Sequence, residues 1–260
     1  MLFDLARTAL VLLAASVGTF AAPRTLLTKP LHLGVAGAPE WEEFAPDKNP
    51  LPRMDLTFDA EPNASEATLF IRQRDVKQEW IVELNNRRLG KLFLMETALV
   101  QKLSVPPAVL KEHGNTLAIF RAGAGIPDDI IIEEVSLDSR APSDTTALAK
   151  LTIDVSDEQG EALPCRITVV DNHGSLAAIW DPREKDDPAP LTYAIRPGVV
   201  YTAGGRVRIA VQPGESTVVA SRGFEWSIAR HVVAVGVGDS ASISLRLRRE
   251  VSTPNLVAWK

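Results

Sequence analysis

Short runs in which apolar and polar residues alternate recur along this chain from Met54 to Leu247, and few folds can accommodate that period of two. Met54, Leu56 and Phe58 alternate with Asp55, Thr57 and Asp59; Trp80, Val82 and Leu84 share a face; Leu151, Ile153 and Val155 alternate with Thr152 and Asp154. Successive side chains of a strand point to opposite faces of its sheet, so each run sends one row of side chains into a core and the other toward solvent. Further strands are predicted at Leu31 to Val35, Thr68 to Arg72, Arg87 to Leu92, Leu99 to Val105, Asn115 to Phe120, Ile130 to Leu137, Cys165 to Val170 and Ser216 to Ser221. Many short strands separated by polar turns predict an all-β protein built of sandwiches or jelly rolls.

The turn chemistry refines this. Asn85-Asn86 predicts a tight hairpin, because asparagine tolerates the positive φ that a two-residue turn requires. Pro106 to Glu112 predicts a single short turn or helix, stopped at His113-Gly114. Asn172-His173-Gly174 is a further turn, and the proline-rich, charged stretch Asp181 to Pro190 is a loop. Gly204-Gly205 predicts a hairpin into Val207, Ile209 and Val211, and Pro213-Gly214 a turn into the next strand. Val233, Val235 and Val237 form one apolar row and Ile243, Leu245 and Leu247 another, meeting at Gly238-Asp239, which predicts the best-buried hairpin of its domain.

At 260 residues the chain exceeds one average core, and two domains are expected. The small, polar, proline-bearing stretch Ala141 to Ala147 is the best linker. It divides a domain over 23–145 from a second over 146–251, with 252–260 a C-terminal linker or truncation point. Residues 1–22 read as a secretory signal: Arg7 is the positive start, Thr8 to Val17 the apolar run, and Thr19 to Ala21 the small-residue cleavage region. A secreted or periplasmic location is expected, with an uncleaved anchor as the alternative. Cys165 is the only cysteine, so no internal disulfide forms, and its apolar neighbours predict a small buried hydrophobe rather than a nucleophile.

Searching for chemistry excludes more than it assigns. The net charge of -5 and the lack of a basic stripe give no reason to expect nucleic acid, and Arg246, Arg248 and Arg249 read as a solvated strand face. His32, His113, His173 and His231 are isolated from one another, with none of the paired spacings of a hydrolytic metal site. His113 and His173 are expected in surface turns. Asp128-Asp129 and Asp186-Asp187 lack the clustered oxygen spacing of a calcium loop and are expected as solvated carboxylates. No catalytic residue, metal ligand or cofactor site is assigned, and no cofactor is expected. Of the tryptophans, Trp80 is in phase with a core row, whereas Trp41 and the pair Phe224 and Trp226 lie in less regular segments and are the candidate surface contacts. They would touch another module, a catalytic domain or a glycan. No membrane contact beyond the signal segment is expected.

Stretches in both halves carry family resemblances. Leu69-Phe-Ile-Arg-Gln-Arg-Asp-Val-Lys-Gln-Glu-Trp80, Leu84-Asn-Asn-Arg-Arg-Leu-Gly90 and Gly114-Asn-Thr-Leu-Ala-Ile119 are similar to galactose-binding-like jelly rolls. Leu163-Pro-Cys-Arg-Ile-Thr-Val-Val-Asp171 opens a region that resembles the carboxypeptidase-regulatory-like, transthyretin-like sandwich. Together with Arg196 to Gly205, Tyr201-Thr-Ala-Gly-Gly-Arg206, Arg222-Gly-Phe-Glu-Trp226 and Leu245-Arg-Leu-Arg-Arg-Glu-Val251, it looks like the N-terminal accessory region of secreted CehA/McbA-type metallohydrolases. The resemblance implies that the metal-dependent activity of that family resides in a following barrel, which these 260 residues do not contain. The chain itself is then expected to be a non-catalytic spacer or interaction module, with a catalytic domain, covalently continuous or separate, as partner. A carbohydrate-binding module is the alternative.

Overall fold

The computed structural model describes residues 23–40, 50–123, 127–141, 149–182 and 192–252, and these form eighteen strands and no helix. The signal segment, Trp41, Asp186-Asp187 and the linker from residue 142 on, with the boundary at 145, lie outside the described residues.

The first nine strands are β1 (Arg24–Leu27), β2 (Leu31–Leu33), β3 (Arg53–Phe58), β4 (Ala67–Arg74), β5 (Trp80–Leu84), β6 (Arg87–Lys91), β7 (Leu99–Val105), β8 (Asn115–Arg121) and β9 (Ile130–Asp138). Their ladders nest around one hairpin: β5 pairs β6, β4 pairs β7, β3 pairs β8, and β1 and β2 pair β9, all antiparallel. An antiparallel ribbon folded at Asn85-Asn86 and rolled up gives these pairings, which define a jelly roll. Both asparagines are left-handed, with φ of 53° and 62°, as the hairpin requires. The sheets β1-β9-β4-β7 and β3-β8-β5-β6 face each other across one core, where Leu69, Ile71 and Val135 meet Met54, Trp80, Val82 and Ile119. The stretch after β7 is a turn with Ala108 at φ 60°, not a helix. β1 had no alternation to announce it; its hydrogen bonds to β9 make it a strand.

The second nine are β10 (Ala149–Ser156), β11 (Cys165–Asp171), β12 (Ile179–Trp180), β13 (Tyr193–Arg196), β14 (Val199–Thr202), β15 (Arg206–Val211), β16 (Gly214–Ser221), β17 (Ala229–Val235) and β18 (Ser240–Arg246). They form the sheets β12-β15-β10-β18 and β13-β14-β11-β16-β17, packed over Leu151, Ile153, Ile209 and Leu245 from one side and Ile167, Val169, Val200 and Val218 from the other. This second core is continuous from Ala149 to Leu247 and shares no residue with the first, so the chain is two tandem β-sandwiches.

Two predicted hairpins of this sandwich are corrected. β17 pairs with β16 in one sheet and β18 pairs in parallel with β10 in the other, so Gly238-Asp239 carries the chain between sheets. The rows are buried, Val233 and Val235 from one side and Ile243, Leu245 and Leu247 from the other, but they face across the core, and Val237 lies in solvent. Gly204-Gly205 is likewise a crossover: β14 belongs with β11, β15 with β10. A Cβ on Gly205, whose φ is 71°, would stand 2.5 Å from the Val155 carbonyl oxygen and 2.7 Å from the Leu163 nitrogen. Only glycine brings that backbone close enough for Val155 N–H to donate to the Gly205 carbonyl at 2.8 Å.

Candidate functional site

The turn after β11 builds the joint between the sandwiches. Asp171 Oδ1 accepts hydrogen bonds from His173 N–H at 2.9 Å and Ser175 N–H at 3.0 Å, which closes the turn and leaves His173 exposed. The other carboxylate oxygen receives Arg72 Nη1 of β4 at 2.5 Å, and Arg72 Nε also lies 3.5 Å from Glu134 of β9. Leu176 then adds to the first sandwich as a strand would: its N–H donates to the Ala98 carbonyl at 2.8 Å, and Val100 N–H donates to the Leu176 carbonyl at 3.0 Å. Leu99, Leu176 and Val199 bury one another beneath these bonds, and Phe70, Val100 and Ala178 form a second patch with Trp180. Gly198, at φ 64°, is pressed so close that a Cβ there would lie 2.4 Å from the Leu176 Cβ. Backbone pairing, an ion pair and two apolar patches thus hold the joint at once.

Beside the joint opens a cleft of about 370 Å³. β7 contributes Val100 and Lys102, β12 contributes Trp180, and β13 with its turn contributes Ile195, Arg196 and Pro197. The Lys102 ammonium stands 4.4 Å from the centre of the Trp180 ring. Burial pulls this lysine down to about 8, against the opposing influence of Glu66. None of the described residues lining the cleft is acidic.

The predicted aromatic contacts lie elsewhere on the second sandwich. Phe224 is fully exposed, at a relative accessibility of 104%, on a loop fastened to the last described stretch of chain. Ser227 N–H donates to the Arg248 carbonyl, Glu250 N–H to the Glu225 carbonyl, and Arg249 Nη2 pairs with Glu225 at 2.9 Å. Trp226 is not a free platform. It packs against the second core, and the guanidinium carbons of Arg222 and Arg249 lie 5.6 and 5.9 Å from its ring centre. The structure therefore brings Phe224 and Trp226 onto one loop with different roles, tip and anchor.

Asp128 and Asp129 are not solvated loop carboxylates. Both are buried, at 0% and 1% accessibility. Asp128 Oδ2 accepts from Trp80 Nε1 at 2.8 Å and Gln78 N–H at 2.9 Å, and Asp129 Oδ1 lies 2.9 Å from His32 Nε2. Lys77 Nζ, 3.1 Å from Glu40, approaches Asp128 Oδ1 to 4.0 Å. A buried carboxylate needs donors, and the three on Asp128 Oδ2, the Lys77 and Gln78 N–H groups and the Trp80 indole, come from the stretch before and into β5. The sequence signal that could have found the pair is the indole of a core tryptophan, which needs an acceptor when fully buried.

Cys165 is buried as expected, and burial pushes its thiol up to about 11. His113 and His231 are exposed, and His113 lies 3.3 Å from Asp59. Among the described residues no three His, Cys, Asp or Glu side chains gather as a metal site would require, and no helix is long and apolar enough to cross a membrane.

No family model and no curated relative matches the sequence. Among solved structures the chain is similar to the minor pilin GBS52 of Streptococcus agalactiae, with a TM-score of 0.32 and 10% identity over 89% of this chain and 100% of that one. It is also similar to the shaft pilin SpaA of Lactobacillus rhamnosus GG, with a TM-score of 0.29 and 12% identity over 88% and 100%. A third is the β-glucuronidase of Parabacteroides merdae, with a TM-score of 0.30 and 12% identity over 82% of this chain and 36% of that one. Likeness of this degree assigns neither activity nor partner.

Proposed function

We propose that this chain is an exported, non-catalytic arm that positions a partner, in the manner of the accessory region of a CehA/McbA-type metallohydrolase. The observation that carries this reading is the joint: the Leu176 bonds to Ala98 and Val100 and the Arg72–Asp171 pair fasten two separate cores to each other, which is what a spacer of set geometry needs. Phe224 supplies the contact. A fully exposed phenylalanine on a loop pinned by backbone bonds presents an apolar anchor with little ordering entropy left to lose. The first sandwich is read as galactose-binding-like and the second as carboxypeptidase-regulatory-like, joined near residue 145, outside a cell membrane in the secreted or periplasmic space.

The test is direct. The chain without its first 22 residues is mixed with the catalytic barrel of a metallohydrolase of this type, and association is followed by analytical ultracentrifugation. A complex that Phe224→Ala abolishes and Tyr201→Ala spares supports the arm. Metal-dependent ester hydrolysis by the purified chain alone would overturn its non-catalytic character. The glycan reading is weaker because Trp226, the ring best suited to a pyranose face, is flanked by Arg222 and Arg249.

A further inference from the structure

We propose that the cleft beside the joint is a binding site for a small carboxylate with an apolar body, an aromatic or short aliphatic acid, whose carboxylate meets Lys102 and Arg196 and whose body lies against Val100, Trp180 and Ile195.

Charge selects the headgroup. In a chain of net charge -5, this cleft is lined by cations and by no acidic residue among those described. Lys91, at its rim, is already 3.2 Å from Glu79. Among the described residues no carboxylate forms an ion pair with Arg196 or with Lys102, which feels Glu66 only at a distance, and Lys102 is held over an indole face, half withdrawn from water. A partly desolvated ammonium not closed into an ion pair by the described residues gains more from an incoming anion than a surface lysine does, because water screens the pair less.

The walls select the body. Val100, Ala178, Ile179, Ile195 and Pro197 give it hydrocarbon, and the one amide in reach is taken: Gln101 donates to the Lys91 carbonyl at 2.9 Å and accepts from Phe93 N–H at 2.7 Å. Sugar hydroxyls would lose their water here without gaining partners, whereas a ring or short alkyl chain loses nothing. The volume of about 370 Å³ lies at the small end of ligand sites, which run from about 300 to 1,000 Å³. Because the walls come from both sandwiches, such a ligand would also brace the joint.

The proton balance adds a signature. Among the described residues Glu66 is the charged group that acts on Lys102, Lys91 and Arg196 line the same cleft, and burial brings the Lys102 ammonium down to about 8. Of the two forms of Lys102 only the ammonium attracts the carboxylate, so its share of the affinity holds below that pH and is lost as pH rises through it, leaving the part that Arg196 supplies.

Isothermal titration of the full chain with naphthoate, hexanoate, galacturonate and inorganic phosphate tests the site. The expected result is one naphthoate or hexanoate per chain, with galacturonate and phosphate at least about tenfold weaker. Lys102→Met and Arg196→Gln each weaken naphthoate about tenfold or more, and wild-type affinity drops between about pH 7 and pH 9. Arg196 is exposed, so its variant decides the matter should Lys102→Met fold poorly. No saturable heat with naphthoate, equal affinity for galacturonate, or unchanged affinity in the Arg196 variant would overturn the proposal. Loss of the catalytic-barrel complex would leave it standing, since that contact is made at Phe224.

Discussion

The two sandwiches bury comparable apolar rows but are specified by different devices. The described residues of the first hide seven polar side chains (Thr68, Gln73, Asn115, Asp128, Asp129, Ser136 and Asp138), and those of the second only three (Ser175, Thr202 and Ser216). In the first, these groups act as pins. Asn115 accepts from Lys111 N–H and Asn85 Nδ2 and donates to the Phe58 and Lys111 carbonyls, tying the hairpin turn to β3 and to the turn after β7. Gln73 both donates to and accepts from the Phe93 backbone, and Asp128 holds Trp80. The second sandwich relies on close backbone approach at glycines, Gly205 at the sheet crossover and Gly198 at the joint. A buried polar network tolerates only one arrangement of its members, and a glycine contact tolerates only one residue type. One pattern of alternation is therefore compatible with two ways of fixing a fold.

Trp80→Ala is the harshest way to break the first device, since it removes the largest fully buried side chain among the described residues and leaves Asp128 without its indole donor. A loss of about 3–5 kcal/mol is expected from the cavity, before the lost indole–carboxylate hydrogen bond is counted. Differential scanning calorimetry should show it as a fall in the melting of the first sandwich. Hydrogen exchange in β10 and β15 should change far less; equal deprotection there would show that the two cores do not stand apart.

Gly205→Ala strikes the second device. A methyl 2.5 Å from the Val155 carbonyl oxygen, on a residue at φ 71°, should cost about 2–3 kcal/mol, read by urea unfolding, while the neighbouring Gly204→Ala, with open space around it, should be nearly silent. Arg72→Ala comes next at about 1–2 kcal/mol. It leaves Asp171 with its two turn donors but without its cation, and should widen the separation between the melting of the two sandwiches rather than lower both equally.

This contrast also explains what could be read in advance. Rows such as Met54, Leu56 and Phe58 or Leu151, Ile153 and Val155 are local, so their strands and inward faces were legible from alternation alone. Partnership is not local. Gly204-Gly205 and Gly238-Asp239 carry the same turn chemistry as a hairpin, yet the strands they join lie in opposite sheets, because a reversal of direction does not say whether the next strand pairs or crosses the core. Asn85-Asn86 was legible because a two-residue loop between strands leaves no length for a crossover. The buried Asp128-Asp129 pair was hidden because its donors, His32, Gln78 and Trp80, are distant in sequence. Of the candidate contacts, Phe224 was found at the surface by its irregular surroundings, whereas the partial burial of Trp226 depends on Arg222 and Arg249 closing over it. The cleft at Lys102 and Trp180 had no sequence signal, since it exists only where the two sandwiches meet.

The smallest effect tests whether hairpin and crossover turns ask the same of their residues. Asn86 at the hairpin has φ 62° and is exposed, and Gly238 at the crossover has φ 76° with nothing within 4 Å of where a methyl would stand. Both sites demand a left-handed backbone and nothing more, so Asn86→Gly and Gly238→Asn should each shift stability by no more than about 0.5 kcal/mol, and Asn86→Ala and Gly238→Ala should each cost about 1 kcal/mol. Gly205→Asn, at a crossover with backbone crowded around it, should behave like Gly205→Ala instead. Chemical denaturation of these variants separates the two demands: if Gly238→Asn proves as damaging as Gly205→Asn, the crossovers need glycine for their direction, and close approach at Gly205 is not what sets the second sandwich apart.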